Sequence, residues 1–234
     1  MIRSLRLNIQ KKIRTIEDAE ININNNFPNI KNFPISSHYK TKITTIYINI
    51  ENYQKLMQKL KEKEKLKFIN LYAESILKIF NYYLIDNYHL FGTEIYGFIE
   101  HYKANSFAEG NLLTAAIEIN SFLSNLPFKI NYKIVLLTGI EFFSIIEINK
   151  RKKTLATINK TVYLAKEIFE KTTKTNLIYL NEVYEKNNFH WLQQIPKDPC
   201  SYPKQVDSKI LNEKIFELNC VFADWKIENL NKKG

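Results

Sequence analysis

The order of strand-like and helix-like segments constrains the fold of this chain more than any single motif does. A strand pattern over 43–50 is followed by a helical stretch over 52–82, and two short apolar runs then flank the turn signal Phe91-Gly92-Thr93-Glu94. A second amphipathic helix, "SFAEGNLLTAAIEINSFLSNL", precedes further strand patterns. A strand–helix–strand–strand–helix–strand order is that of the split βαβ arrangement. We therefore predict an α+β fold with a ferredoxin-like split βαβ core.

The second half of the chain continues with alternating elements. The runs "FKINYKIVLLTG" and "IEFFSIIEI" predict two strands joined at Thr138-Gly139, and a helix is expected over 160–172. A strand, "NLIYL", and a short helix, "NEVYEKN", come next. The stretch "KIFELNCVFADWKI" then predicts one or two further strands.

The domain organisation follows from the composition of the two ends. Residues 1–40 predict an N-terminal helical arm, roughly 4–20, and a connector that bears asparagine and proline. Residues 41–234 predict one domain, of which 193–234 form a C-terminal strand extension. No window reaches the ~18 consecutive apolar residues of a membrane span. The expectation is a cytoplasmic protein with no membrane partner.

The charge and the metal-binding residue types exclude several function classes. The net charge is +10, but the lysines are dispersed among glutamates, so nucleic acid is not the expected partner. A basic nucleic-acid-binding scaffold stays the third function alternative. The two cysteines are too few for a disulfide scaffold and lack zinc spacing. The four histidines, His38, His89, His101 and His190, show no ligand spacing.

Five segments, taken in order, carry a family resemblance. They are "TTIYINIENYQ", "FGTEIYGFIE", "IVLLTGIEFFSII", "LATINKTVYLAKEIFEKTTKTNLIYLNEVYEKN" and "IFELNCVFADWKI". In this order the chain resembles the class III nucleotide cyclase homology domain, and most closely the bacterial antiphage (Pycsar-type) pyrimidine cyclases. The GGDEF domain shares the first half and is the competing resemblance. The helix with "VYLAK", followed by "NLIYLNEVYEK", favours the cyclase group.

The resemblance implies a site for two divalent cations. In the family two aspartates hold the metals, one at the end of the first strand and one in the hairpin; here these positions are Asn49 and Thr93. Hard cations favour carboxylates, so we expect no metal, with Mg or Mn only if the chain is active. Glu51 and Glu94 are the residual carboxylates, although a one-residue shift from Thr93 should turn Glu94 to the opposite face. Asn49 is alternatively an N-cap for the helix that follows.

The resemblance also implies a second half-site that acts across a subunit interface. There the family places an asparagine and, four residues later, an arginine or lysine; here they are Tyr163 and Glu167. A glutamate beside a triphosphate has the wrong charge. We therefore predict a catalytically degenerate, cyclase-like pseudoenzyme, acting through dimerisation, regulation or ligand binding in cyclic-nucleotide or antiphage signalling. The alternative is an active, divergent nucleotidyl cyclase, a phosphorus–oxygen lyase making a cyclic pyrimidine nucleotide with Glu51 and Glu94.

The expected partner is a second cyclase-fold chain, in a homodimer or a heterodimer, and a nucleotide is a further candidate ligand. Tyr163 is expected to anchor the dimer, because aromatic side chains dominate such interfaces. The sequence does not assign cofactor-binding residues. The predicted apolar dimer surface consists of Ile134, Leu136, Phe142, Ile145, Val162 and Tyr163.

Overall fold

The computed structural model of the chain describes most residues after position 37. The predicted arm over 4–20 and the segments 150–151 and 185–202 lie outside the described residues. By compactness the chain divides into a larger unit, 43–139 with 161–234, and a smaller unit, 1–42 with 140–160. The described ranges are 38–101, 107–149, 152–158, 160–182, 184, 203–206 and 213–222.

One mixed sheet forms the centre of the larger unit. The strands are β1 (His38–Ile50), β2 (Asn87–Phe91), β3 (Glu94–Glu100), β4 (Tyr132–Asn149), β5 (Lys152–Ile158), β6 (Leu177–Asn181), β7 (Lys204–Gln205) and β8 (Ile215–Leu218). Their order in the sheet is β2-β3-β1-β4-β6-β8-β7, and β5 pairs with β4 in the smaller unit. The order β2-β3-β1-β4 confirms the predicted split βαβ core. β8 pairs antiparallel with β6, so the predicted C-terminal strand is confirmed over its described part.

Four helices are described on the two faces of the sheet. The predicted helical stretch over 52–82 is interrupted at Leu60, whose backbone is extended (φ −92°, ψ 142°). A new helix starts after Lys61, whose backbone N–H donates to Glu64 Oε2 at 2.8 Å. The helices are α1 (Tyr53–Lys59), α2 (Glu62–Tyr82), α3 (Phe107–Ser124) and α4 (Lys160–Lys171).

Alternation along β1 separates two apolar layers. Ile46 and Ile48, both 0% exposed, belong to the core cluster that α2 and α3 cover. Tyr47, 2% exposed, points to the other face and packs in a cluster with α4. Fully burying one such side chain stabilises the fold by roughly 1.5–3 kcal/mol. The orientation of every residue near the end of β1 is therefore fixed by the core.

β4 corrects the prediction of two strands joined at Thr138-Gly139. It runs without a break through Gly139, and the second strand of the pair is β5, which lies antiparallel to β4 from Phe142 onwards. A Cβ atom at Gly139 would lie 2.8 Å from Thr161 Cγ2. The Thr161 hydroxyl is hydrogen-bonded to that of Thr45 at 3.0 Å. Glycine at 139 thus permits close packing on α4, and it is not a turn residue.

α3 packs closely on the sheet, as its small residues predict. Ala108, Ala115 and Ala116 are at most 4% exposed. None of the helices in the described part of the chain is long and apolar enough to cross a membrane.

Candidate functional site

Asn49 and Thr93, 44 residues apart in the sequence, meet at one edge of the sheet. Asn49 is the penultimate residue of β1, and Thr93 lies with Gly92 in the two-residue turn between β2 and β3. The backbone turns sharply here because Gly92 adopts a positive φ of 62°. Thr93 is 5% exposed, and its hydroxyl donates to Asn49 Oδ1 at 3.0 Å. The two positions implied by the family resemblance are therefore direct neighbours.

The Asn49 side chain is committed to hydrogen bonds within the protein. Its Oδ1 also accepts from the Ile50 backbone N–H at 2.8 Å, and its Nδ2 donates to the Tyr47 hydroxyl at 3.3 Å. An amide oxygen has two acceptor lone pairs, and both are used here. The prediction that Asn49 caps the following helix is wrong, because Asn52, with a φ of 54°, is the N-cap of α1.

Glu94 lies on the same face of the sheet as Asn49. The β1–β3 register pairs Tyr47 with Tyr96 and Ile48 with Ile95, so the next pair would join Asn49 to Glu94. Directly opposite residues of an antiparallel pair share a face. The expectation that Glu94 faces away is therefore wrong. It failed because Thr93 belongs to the turn, where strand alternation does not apply.

The Glu94 carboxylate is paired with a lysine from α4. Lys166 Nζ lies 2.6 Å from Glu94 Oε1, with 43% and 24% of the two side chains exposed. Burial, followed by the nearby negative charge of Glu94, raises the pKa of Tyr47. Tyr47 therefore stays a neutral phenol beside the carboxylate. Together Tyr47, Asn49, Thr93, Glu94 and Lys166 form a connected group, which we call the edge cluster.

An open cleft of about 490 Å³ lies beside the edge cluster. Glu94 is the one carboxylate among the residues that line it, and Lys55 adds a positive charge. A cleft of this size is within the range that holds a small ligand. The lining residues are Asn49, Ile50, Asn52, Tyr53, Gln54, Lys55, Phe91, Gly92, Thr93 and Glu94.

Glu51, the other residual carboxylate, is directed elsewhere. Its Oε1 lies 2.5 Å from the ammonium of Lys133, whose side chain is only 2% exposed. The same ammonium donates to the backbone carbonyls of Phe169 and Thr172, at 2.6 Å each. Glu51 does not line the cleft of the edge cluster. Lys133 was not among the predicted site residues, although a lysine directly before the apolar run "IVLL" was a signal of a buried, partnered charge.

The edge cluster does not fit a divalent cation. Mg²⁺ and similar cations require several oxygen ligands, of which carboxylates are the strongest. Here one carboxylate is paired with an ammonium, and the amide oxygen already accepts two hydrogen bonds. Across the part of the chain that the structure describes, no group of three or more His, Cys, Asp or Glu side chains could hold a metal ion.

Tyr163 and Glu167 lie on α4 and do not line the cleft of their own chain. Tyr163 is 74% exposed, whereas Glu167 forms an ion pair with Lys171 at 2.5 Å. The Tyr163 ring is thus accessible for contact with another molecule.

The predicted apolar dimer surface is only partly at the surface. Ile134 and Leu136 are 0% exposed and Val162 is 7% exposed, so the prediction is wrong for these three residues. They face the apolar layers between the sheet and the helices, which strand and helix periodicity alone did not distinguish from an outer face. Phe142 is 40% exposed, and the side chain of Ile145 lies outside the described set.

Comparisons with known proteins give a consistent result for the fold. No family model and no curated protein matches the sequence. Among solved structures, the adenylyl cyclase CyaB from P. aeruginosa has a TM-score of 0.62 at 14% identity, over 81% of this chain and 99% of that chain. The guanylyl cyclase Cya2 has a TM-score of 0.61 at 14% identity, over 80% and 95%.

A eukaryotic structure is similar as well. The dimeric guanylyl cyclase domain of the RhoGC fusion protein from the aquatic fungus Blastocladiella emersonii has a TM-score of 0.59 at 14% identity, over 77% of this chain and 96% of that chain. In all three cases nearly the whole of the other domain is matched. The chain therefore has the fold of the class III nucleotide cyclase domains.

Proposed function

We propose that this protein is a catalytically inactive cyclase-fold protein that acts by binding a second cyclase-fold chain or a ligand. The observation that carries the proposal is the hydrogen bond between Thr93 Oγ1 and Asn49 Oδ1. The resemblance assigns metal-binding aspartates to these two positions. The two residues meet at the sheet edge, as that assignment requires. Their side chains are an uncharged hydroxyl and an uncharged amide, and they are hydrogen-bonded to each other.

The chemistry of nucleotide cyclisation explains why this exchange matters. The ribose 3′-oxygen attacks the α-phosphate, and divalent cations stabilise the charge on the attacking and leaving oxygens. Two neutral side chains do not supply the charge that holds such cations. Losing ~4 kcal/mol of transition-state stabilisation lowers the rate about a thousandfold.

The second half-site supports the same conclusion. By resemblance, Tyr163 and Glu167 occupy the positions that would act on a partner's nucleotide. Glu167 would add negative charge beside a triphosphate, and Tyr163 offers a largely exposed aromatic surface instead of an amide. A homodimer would lack both halves, and every shared site of a heterodimer would lack one. The chain would therefore inhibit a competent cyclase and would not complement it, which suits a regulator in cyclic-nucleotide or antiphage signalling.

A product assay tests the proposal directly. The purified chain is incubated with ATP, GTP, CTP or UTP and either magnesium or manganese, and cyclic products are measured by mass spectrometry. A competent class III cyclase serves as the positive control. No product above the enzyme-free reaction is expected from the wild-type chain.

The alternative, a divergent active cyclase, is favoured by one observation: Glu94 lines the cleft on the same face as Asn49. In that case Mg or Mn would have to displace Lys166 from the carboxylate. Turnover that Glu94→Gln abolishes, and that the matched surface change Glu74→Gln leaves unchanged, would establish the alternative and overturn the proposal.

A further inference from the structure

Lys166 reaches the edge cluster because of how α4 is seated on the sheet. Val162, Ala165 and Ile168 are at most 7% exposed and fix the rotation of the helix. Lys166, next to Ala165, then points toward the β2–β3 hairpin, where its ammonium lies 2.6 Å from Glu94 Oε1. The resemblance assigns no role to this position.

The charges around the cleft favour a lysine ammonium over a dissolved metal ion as the cation beside Glu94. Glu94 is the one carboxylate among the cleft-lining residues, and the Lys166 ammonium compensates its charge. Lys55, also on the lining, adds a further positive charge. A divalent cation entering the cleft would meet no net negative charge and would be repelled by two lysines.

We propose that Lys166 is a built-in counter-ion that takes the place of a divalent cation and excludes such metals from the cleft. The inference rests on the proposed function, in which the wild-type chain holds no metal, and it names the residue that enforces that state. A tethered ammonium neutralises Glu94 without any dissolved metal, so a divalent cation has to compete with it for the carboxylate. It also keeps the carboxylate beside Tyr47, whose hydroxyl receives the Asn49 amide hydrogen.

Manganese binding, followed by electron paramagnetic resonance of the free ion, tests this role without any activity assay. The variants are Lys166→Gln, Lys166→Gln with Glu94→Gln, and Lys171→Gln as the matched control. Lys171 lies on the same helix and forms a similar pair, with Glu167 at 2.5 Å. Removing one positive charge from the surroundings of a divalent ion should tighten its binding on the order of tenfold.

The expected pattern is a gain of Mn²⁺ affinity in Lys166→Gln alone, with the double variant and Lys171→Gln binding as weakly as the wild type. Lys166→Met, which keeps the apolar stem of the side chain, is the second neutral variant if Lys166→Gln does not fold. Lys166→Arg keeps the charge and should match the wild type.

Two outcomes separate this inference from the function on which it rests. Neutral variants at 166 that bind Mn²⁺ no better than Lys171→Gln overturn the counter-ion role and leave an inactive protein. Wild-type protein that binds Mn²⁺ tightly and forms a cyclic product overturns the proposed function itself.

Discussion

Lys133→Met is expected to lower the free energy of unfolding by about 3 kcal/mol. The Lys133 ammonium makes three polar contacts, with Glu51 at 2.5 Å and with the carbonyls of Phe169 and Thr172 at 2.6 Å each, and it also lies 4.9 Å from the centroid of the Phe169 ring. It therefore joins the residue that follows β1 to the C-terminal end of α4. Methionine fills a similar volume but donates no hydrogen bond, so the change removes the contacts without opening a cavity.

The magnitude follows from what is left unpaired. Breaking a buried ion pair by removing one partner costs roughly 3–5 kcal/mol, and each orphaned carbonyl costs about 1 kcal/mol or more. Two effects reduce this cost. The Glu51 side chain is 23% exposed, so water solvates part of the unpaired carboxylate. Methionine also avoids the cost of desolvating the Lys133 ammonium on folding. For a chain of this size, a loss of about 3 kcal/mol lowers the melting temperature by roughly 6–12 °C.

Urea unfolding followed by circular dichroism measures the change. Lys78→Met is the matched control, because that lysine is 76% exposed and pairs with Glu74 on the surface. It should change stability by no more than about 0.5 kcal/mol. Adding Glu51→Gln to Lys133→Met should recover about 1 kcal/mol, since the uncompensated carboxylate is then gone. A Lys133→Met variant within about 1 kcal/mol of Lys78→Met would refute this reasoning.

Three further predictions concern metal, assembly and pH. Asn49→Asp combined with Thr93→Asp should create metal-dependent stabilisation: at about 100 times the dissociation constant, Mn²⁺ adds ~2.7 kcal/mol, or roughly 5–11 °C by thermal unfolding. If wild-type protein already gains several degrees, other ligands hold the ion. Tyr163→Ala should weaken a dimer about tenfold or more by light scattering, and a clean wild-type monomer at micromolar concentration would remove that interface. Burial raises the pKa of Tyr132 to about 12. The unfolded chain loses this proton near pH 10 while the folded chain keeps it to about pH 12, so the free energy of unfolding should fall by ~1.4 kcal/mol per pH unit between these values. Urea unfolding at a series of pH values should show a shallower dependence for Tyr132→Phe.

The elements that carry the candidate site could be predicted from the sequence because their signals are local. The turn signal Phe91-Gly92-Thr93-Glu94 between two apolar runs predicts a hairpin, and the alternation in "TTIYINI" predicts the strand that ends at Asn49 and Ile50. The resemblance then paired the two positions, and the structure places Thr93 Oγ1 3.0 Å from Asn49 Oδ1. Local pattern thus predicted the two elements, and the resemblance supplied the pairing of the two positions.

The charge pairing at the site could not be predicted in the same way. Glu94 meets Lys166, and Glu51 meets Lys133, across 72 and 82 positions of the sequence. A chain with 34 lysine and arginine residues offers many candidate partners for each glutamate. Which pair forms depends on the register of β3 and on the rotation of α4. Both are decided by packing, which no local pattern specifies.

The close approach of β4 to α4 makes the residues tolerated at positions 139 and 161 depend on each other. At Gly139 a Cβ atom would lie 2.8 Å from the Thr161 methyl carbon. Rotating that methyl away would break the 3.0 Å hydroxyl bond to Thr45. Serine at 161 lacks the methyl group but keeps the hydroxyl, so Gly139→Ala should be rejected on its own and accepted together with Thr161→Ser. A selection library randomised at both sites should therefore show epistasis: alanine at 139 should be enriched only together with serine at 161.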